Sequence, residues 1–318
     1  MGKTELAQEL ALRLGQKHAC QIGVLSADSM QVYTGMDIGT AKLPESVRKV
    51  PHFGLDLVEP SSAYSAAQYQ GYGRDIIEQE AGLCGGMPPV VCGGTGLYLR
   101  ALLDDFDFAD SDEDKQQQQM EIRQKYEQLH EEIGTEELHS LLSSRDSEAA
   151  REVHPNNVRR VIRALELWET GESYADVKQA FKTRISYYPT IWIGLNCERE
   201  VLYDRINRRV DIMIEQGLLQ EVEQLLYQGY RDALTAQQAI GYKELVPVLE
   251  GGLEGADSLD SALDAIKQAS RRYAKRQLSW FRGDPRIEWI ANDNMSTSQV
   301  TEQAFDLIEK YNMKQKKD

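Results

Sequence analysis

Gly2-Lys3-Thr4-Glu5-Leu6-Ala7-Gln8-Glu9-Leu10-Ala11-Leu12-Arg13-Leu14-Gly15 opens the chain directly after Met1. Its first three residues are the tail of a phosphate-binding loop of the pattern G-x-x-x-x-G-K-[ST]. Behind them Leu6, Ala7, Leu10, Ala11 and Leu14 recur at helical spacing, and Gly15 stands where that helix is expected to stop. A helix N-terminus turns unpaired N–H groups and the positive end of its dipole toward an anion. In such a loop Lys3 reaches the outer phosphates and the Thr4 hydroxyl ligates Mg²⁺. The first glycine of the pattern, and the strand that feeds it, would precede Met1. The expectation is a start codon assigned too late, with Met1 at a loop position that another residue fills in the native protein. The intact mass of protein purified from its source checks this, and a mass matching a chain that begins at Met1 contradicts it.

Outward from that loop, helix and strand signals alternate. Gln21–Ser26 is a short apolar run that reads as a buried strand and ends in Ala27-Asp28-Ser29. Gly54–Val58 is a second strand closed by Glu59-Pro60, and Tyr64–Glu80 has helical spacing. Pro89–Cys92 is a third strand, followed by Gly93-Gly94-Thr95-Gly96 and a helix over Leu97–Leu103. Alternation of this kind predicts a parallel sheet with helices on both faces, in which ligands gather at the carboxyl ends of the strands. Asp28-Ser29 and Gly93-Gly94-Thr95 should therefore face one cleft with the Gly2-Lys3-Thr4 loop. From about Asp105 an acidic linker and the Gln-rich Gln116–Gln119 lead into helical segments. Among them is Asn157–Glu169, with an apolar stripe of Val158, Val161, Ile162, Leu165 and Trp168. Tyr188–Leu195 then reads as a strand returning to the sheet, with helix from there to the C-terminus and frayed final residues 313–318. The expected fold is α/β: a P-loop NTPase-like parallel sheet flanked by helices, formed by residues 1–104 and 188–318, with an all-helical insertion domain over 105–187.

The 318 residues are 41% hydrophobic, enough for a large core. No run of about 18 apolar residues marks a membrane span, and no signal pattern marks export. Cys20, Cys84, Cys92 and Cys197 lack C-x-x-C spacing and are expected as reduced, buried thiols. The composition reads as cytoplasmic and free of the membrane. The net charge of −15, from 36 basic and 51 acidic residues, argues against indiscriminate binding of nucleic acid. Its distribution argues otherwise for one face. Lys267, Arg271, Arg272, Lys275, Arg276, Arg282 and Arg286 crowd one segment against the lone Asp284, while acids gather at Asp104–Asp114, Glu131–Glu137 and around Glu221.

Asp28–Lys42 is the densest cluster of small polar residues, and a loop of that length inside a compact domain is usually functional. A carboxylate at a strand end can serve as a general base or hold magnesium through water. The plainer reading of Asp28 is a cap on the following turn.

Gly2-Lys3-Thr4, the Asp28–Lys42 run, Pro51-His52, Tyr64-Ser65-Ala66-Ala67, Gly93–Tyr98, His154-Pro155-Asn156, Ala239–Lys243 and Lys275–Arg282 together resemble the tRNA dimethylallyltransferase family, in family order over nearly the whole chain. The resemblance implies transfer of a dimethylallyl group from dimethylallyl diphosphate to N6 of the adenine beside the anticodon, at position 37, with tRNA as partner, Mg²⁺ as cofactor and a monomeric enzyme. It implies that Asp28 takes the N6 proton and Thr95 positions the reacting groups. Gly2, Lys3, Thr4 and Arg209 would bind the diphosphate. The tRNA would meet Asp28, Ser29, Met30 and Gln31; Arg159, Arg160, Val161, Ile162 and Arg163; Gln238, Ala239, Ile240, Gly241, Tyr242 and Lys243; and Lys275, Arg276, Gln277, Leu278, Ser279, Trp280, Phe281 and Arg282. Two of these groups make physical sense unaided: Arg159, Arg160 and Arg163 cluster on one helix, and Lys275, Arg276 and Arg282 interleave with Trp280 and Phe281. Lys243 stands where the family usually has arginine, keeping the charge without the fork. The plainer reading of Arg209 is an ion pair with Asp211 or Glu215, and that of Trp280 and Phe281 is core packing, expected of at least one of them.

Three rivals share part of this pattern. A small-molecule P-loop kinase would not need the basic Lys267–Arg286 segment or the Gly-Gly-Thr-Gly loop. An enzyme that prenylates free adenine nucleotides would have little use for the C-terminal basic segment. A non-enzymatic tRNA-binding relative would keep that segment and lack turnover.

Overall fold

The computed structural model describes residues 2–105, 113–233, 235–251 and 258–315. Met1, most of the acidic run Asp104–Asp114 and residues 316–318 lie outside the described residues. The chain divides into two compact units, Met1–Leu102 with Pro189–Asp318, and Leu103–Tyr188.

The first unit opens with α1 (Lys3–His18), whose Leu6, Ala7, Leu10, Ala11 and Leu14 are all buried. The helix does not stop at Gly15 as expected. It runs on to His18 and ends where Ala19 takes a left-handed φ of 54° and the Cys20 N–H returns to the Gly15 carbonyl. Gly15 is there for closeness: a β-carbon on it would meet the Cys20 carbonyl oxygen at 2.6 Å. Next come β1 (Val24–Ala27), β2 (His52–Phe53), α2 (Ala66–Leu83), β3 (Val90–Gly93) and α3 (Gly96–Leu103). All three strands are parallel, in the order β2-β1-β3, and every residue of β1 is buried. The expected strand at Gly54–Val58 is not formed. Gly54 (φ 76°) and Asp56 (φ 54°) leave extended geometry, so pairing stops at Phe53 and Val58 makes only an isolated bridge to Tyr33. At α2, Ser65 Oγ accepts from the Gln68 N–H while Gln68 Oε1 accepts from the Ser65 N–H, a reciprocal cap that fixes the start of the helix.

The second unit carries α4 (Glu113–Ile133), α5 (Thr135–Arg145), α6 (Ser147–Glu152), α7 (Val158–Glu169) and α8 (Tyr174–Lys182), with no named strand among its described residues. Ile122, Tyr126, Leu138, Leu142, Val161, Ile162 and Leu165 form its core. Trp168, expected in the same stripe, is 37% exposed and carries the Arg145 guanidinium 4.7 Å above its ring.

Back in the first unit follow β4 (Trp192–Asn196), α9 (Arg199–Glu215), α10 (Leu218–Tyr227), α11 (Val246–Gly251), α12 (Leu259–Arg282), β5 (Ile287–Ala291) and α13 (Thr297–Gln315). Two expectations are corrected here. The chain is not helical throughout after β4, and β4 does not pair with the first sheet: it pairs in parallel with β5 over five positions in a sheet of two. β5 escaped notice because only Ile290 of its five residues is buried, so it shows no apolar alternation. α1 serves both sheets. Ala7, Ala11 and Leu14 pack with Ile22 and Val24, whereas Leu6 and Leu10 pack with Ile290, Val300 and Ala304, a cluster that Val90 of β3 and Ile193 of β4 also join.

The expectation of four reduced thiols is corrected as well. Cys20, just past α1, and Cys84, just past α2, form a disulfide with Cα atoms 5.6 Å apart. The pair is 64 residues apart in sequence, a distance from which no spacing rule could have matched them. Cys92 and Cys197 are free.

Candidate functional site

Parallel pairing of β1 with β3 puts Ala27 opposite Gly93, so the residues after each strand emerge side by side. There the Thr95 N–H donates to the Ala27 carbonyl (3.2 Å), the Ser29 N–H donates to Thr95 Oγ1 (3.1 Å), and the Thr95 hydroxyl donates to Ser29 Oγ (3.3 Å). Asp28 and Thr95, read from separate loops, are thus held together. Asp28 Oδ1 accepts from the Met30 N–H at 3.0 Å, so it caps its turn as the plainer reading has it. Its second oxygen is left for other work.

Around this point the structure gathers the expected cations. Gly2 is the N-cap of α1 with φ 88°, and Lys3 and Thr4 lie in the first turn. A β-carbon on Gly94 would stand 3.5 Å from Lys3 Nζ. The Cys92 thiol beneath them is pushed up to about 11, chiefly by burial, with Lys3 and Thr4 pulling it down and Asp28 raising it. Arg209 of α9 is shifted down by burial, with the Asp28 charge opposing. Of the two carboxylates in the alternative ion pair, Asp211 binds Lys267 at 2.6 Å.

α12 closes the glycine loop from above. Gln277 Nε2 donates to the Gly94 carbonyl at 2.8 Å. A β-carbon on Gly94 would collide with that amide, and one on Gly96 would collide with the Trp280 indole. Trp280 is 45% exposed and Phe281 half-buried, so neither is the core residue expected of that pair. Lys275, Arg276, Ser279 and Arg282 are exposed and Leu278 is half-buried, while Arg276 lies 5.6 Å from the Tyr273 ring centre. Tyr273, which the sequence did not single out, is raised by burial and then by the Asp28 charge, which places it at this cleft.

The Asp28–Lys42 loop is organised from within. Lys42 has a side chain only 3% exposed, and its ammonium donates to the Tyr33 carbonyl (2.5 Å), Asp37 Oδ1 (2.8 Å) and Asp56 Oδ1 (2.5 Å). Gln31 accepts from Ser26 Oγ (2.7 Å) and donates to the Thr40 carbonyl (3.0 Å), so its amide serves the loop and is not free for RNA. Met30 is half-buried.

Several other residues expected to touch RNA cannot do so with their side chains. Val161 and Ile162 are core residues of the helical unit, at 1% and 5% exposure. They face inward because α7 turns only some of its residues outward: Arg159 and Arg160 are exposed, and Arg163 is paired with the buried Glu166 at 3.0 Å. Ala239 and Tyr242 are buried too, as is Gly241, while Gln238 and Lys243 are exposed and Ile240 is half-buried. Contiguous motifs include residues that hold the exposed ones in place. Among the described residues no group of three or more His, Cys, Asp or Glu side chains could hold a metal by itself. Nor is any helix long and apolar enough to cross a membrane.

The family model described as IPP transferase matches residues 31–284 of the chain. A tRNA dimethylallyltransferase of Carboxydothermus hydrogenoformans is 42% identical over 306 residues, 95% of this chain and 92% of the relative. That of Geobacillus thermodenitrificans is 45% identical over 294 residues, 91% and 87% of the two chains. Among solved structures, the full-length tRNA isopentenylpyrophosphate transferase of Bacillus halodurans superposes with a TM-score of 0.69 at 39% identity, covering 99% of this chain and 94% of its own. A eukaryotic dimethylallyltransferase acting on tRNA superposes with a TM-score of 0.72 at 27% identity, covering 97% of this chain and 77% of its own.

Proposed function

This chain belongs to the IPP transferase family, and from that premise we propose that it transfers a dimethylallyl group from dimethylallyl diphosphate to N6 of adenine 37 in tRNA. The observation that carries the reading is the meeting of Asp28, Ser29 and Thr95 at the ends of β1 and β3, with Lys3 and Arg209 beside them. A carboxylate at a strand end with cations suited to an anion close by supports that reading.

An adenine amine is a weak nucleophile, and its target atom is reached only once the base leaves its stack. The N6 lone pair attacks the first carbon of the dimethylallyl group as the carbon–oxygen bond breaks. Diphosphate departs with the bonding pair, and the N6 proton passes to the second oxygen of Asp28. Proton removal during attack contributes roughly 10²–10⁴-fold. Lys3, the N–H groups at the start of α1 and Arg209 bind the departing diphosphate, whose charge grows in the transition state. Thr95 fixes the geometry through Ser29. Mg²⁺ commonly binds through one or two protein oxygens with substrate phosphates and water, which needs no larger cluster of protein ligands. The Thr4 hydroxyl would hold Mg²⁺, and the ion would supply neutralisation of the leaving group's charge. Arg159 and Arg160, Gln238 and Lys243, and the exposed bases of α12 bind the RNA backbone. The enzyme works as a cytoplasmic monomer.

Incubation with unmodified anticodon stem-loop RNA and labelled dimethylallyl diphosphate tests the reading, with label expected on N6 of one adenine. Label on free adenine nucleotides and none on RNA, or label on neither, overturns it.

A further inference from the structure

Glu221 lies in the first turn of α10, which is anchored in the core by Leu218, Val222 and Leu225. Its two carboxylate oxygens accept four hydrogen bonds from two distant segments. Oε2 accepts the N–H groups of Asp37 (3.1 Å) and Ile38 (2.8 Å), and Oε1 accepts the Gly39 N–H (3.2 Å) and the Tyr242 hydroxyl (2.5 Å). A carboxylate has about four acceptor positions, and all are filled here. The two segments also interlock sterically. A β-carbon on Gly39 would collide with the edge of the Tyr242 ring, 2.3 Å from its nearest carbon, and Gly241, at φ 99°, makes the turn that aims Tyr242 at this point. The Tyr242 hydroxyl is shifted up by burial and then by the Glu221 charge, so it remains a donor at every ordinary pH. On the other side of the same loop, Lys42 ties Asp37 to Asp56.

We infer that Glu221 is a positioning residue that locks the Asp37–Gly39 end of the Asp28–Lys42 loop to the Gln238–Lys243 segment, making one RNA-facing ledge from two pieces of chain. The inference rests on the proposed tRNA prenyltransferase reading for its kinetic consequence and not for its geometry. In the proposed reading both segments carry residues assigned to tRNA, whereas the diphosphate groups Lys3, Thr4 and Arg209 stand on α1 and α9, outside the clamp. Its loss should therefore weaken use of RNA and spare use of dimethylallyl diphosphate.

Glu221→Gln keeps the shape but confronts two of the four donors with an amide NH₂ group. Tyr242→Phe removes one donor and leaves three. With Glu221→Gln we expect KM for tRNA to rise at least roughly 10-fold, KM for dimethylallyl diphosphate to stay within about twofold and kcat within about threefold, and Tyr242→Phe to move the same constant in the same direction by less. Limited trypsin digestion reads the loop independently of activity: cleavage after Lys42, resisted by the wild type, should appear in Glu221→Ala. Equal rises of both KM values, a fall in kcat alone, or an unchanged digestion pattern overturns the inference. If the Glu221 variants do not fold, Tyr242→Phe carries the kinetic test. If the wild type labels no RNA, the functional reading fails by itself, and digestion alone then decides the clamp.

Discussion

Asp28 uses one oxygen for its own turn, and in the proposed mechanism the other takes the N6 proton. Asparagine preserves the capping oxygen and cannot take a proton. Asp28→Asn should therefore keep tRNA affinity within about twofold and lower single-turnover transfer by at least roughly 10²-fold. Near-normal transfer would remove Asp28 as the base. The residue was legible because a strand end followed by a small polar loop is a local pattern, and so was the Gly-Gly-Thr-Gly turn that delivers Thr95. Glu221 was not legible. Three of its four donors are backbone N–H groups more than 180 positions away, and backbone groups leave no trace in a sequence. Val161, Ile162, Ala239 and Tyr242 show the reverse: their side chains are buried, and a contiguous stretch does not say which way each side chain turns.

At the level of elements, the contact between α12 and the glycine loop after β3 couples the basic helix to the phosphate end of the site. Gly94 has room for nothing more beside the Gln277 amide. Gly94→Ala should cost about 1–3 kcal/mol in urea unfolding, as the helix or the loop shifts to make room. It should also lower transfer activity, whereas Gly82→Ala, at an open helical position, should do neither. The ends of α1 and α2 are joined by Cys20 and Cys84. Cys84→Ser should lower stability by about 2–4 kcal/mol under non-reducing conditions, and added dithiothreitol should then have no further effect on the variant. A variant that still responds to reductant would mean that the sensitive bond lies elsewhere. The helices, β1 and β3 were legible in outline from periodicity and turn residues, whereas β2 lies just before the stretch expected to form it. β5 was not, because a strand that buries a single side chain shows no period, and its pairing with β4 depends on backbone groups.

For the whole molecule the net charge of −15 and the proposed affinity for RNA are reconciled by segregation. Lys275, Arg276 and Arg282 are exposed on a single helix, while acids such as Asp211 and Glu166 are held in ion pairs with bases. Arg276→Ala should weaken tRNA binding about equally for all tRNAs and reduce the slope of log K against log salt by about one. An unchanged slope would make Arg276 structural. The charge segregation could be read from the sequence, but the division of one basic run into exposed and paired members depends on packing. Trp280, over Gly96, has one further consequence. Of the four tryptophans, Trp168 belongs to the helical unit and Trp192 and Trp289 to the second sheet, while Trp280 stands against Gly96 of the glycine loop after β3. Half in solvent, its indole is a built-in optical label. A change in intrinsic emission on adding inorganic diphosphate, lost in Trp280→Phe, would count occupied sites without any dye or isotope.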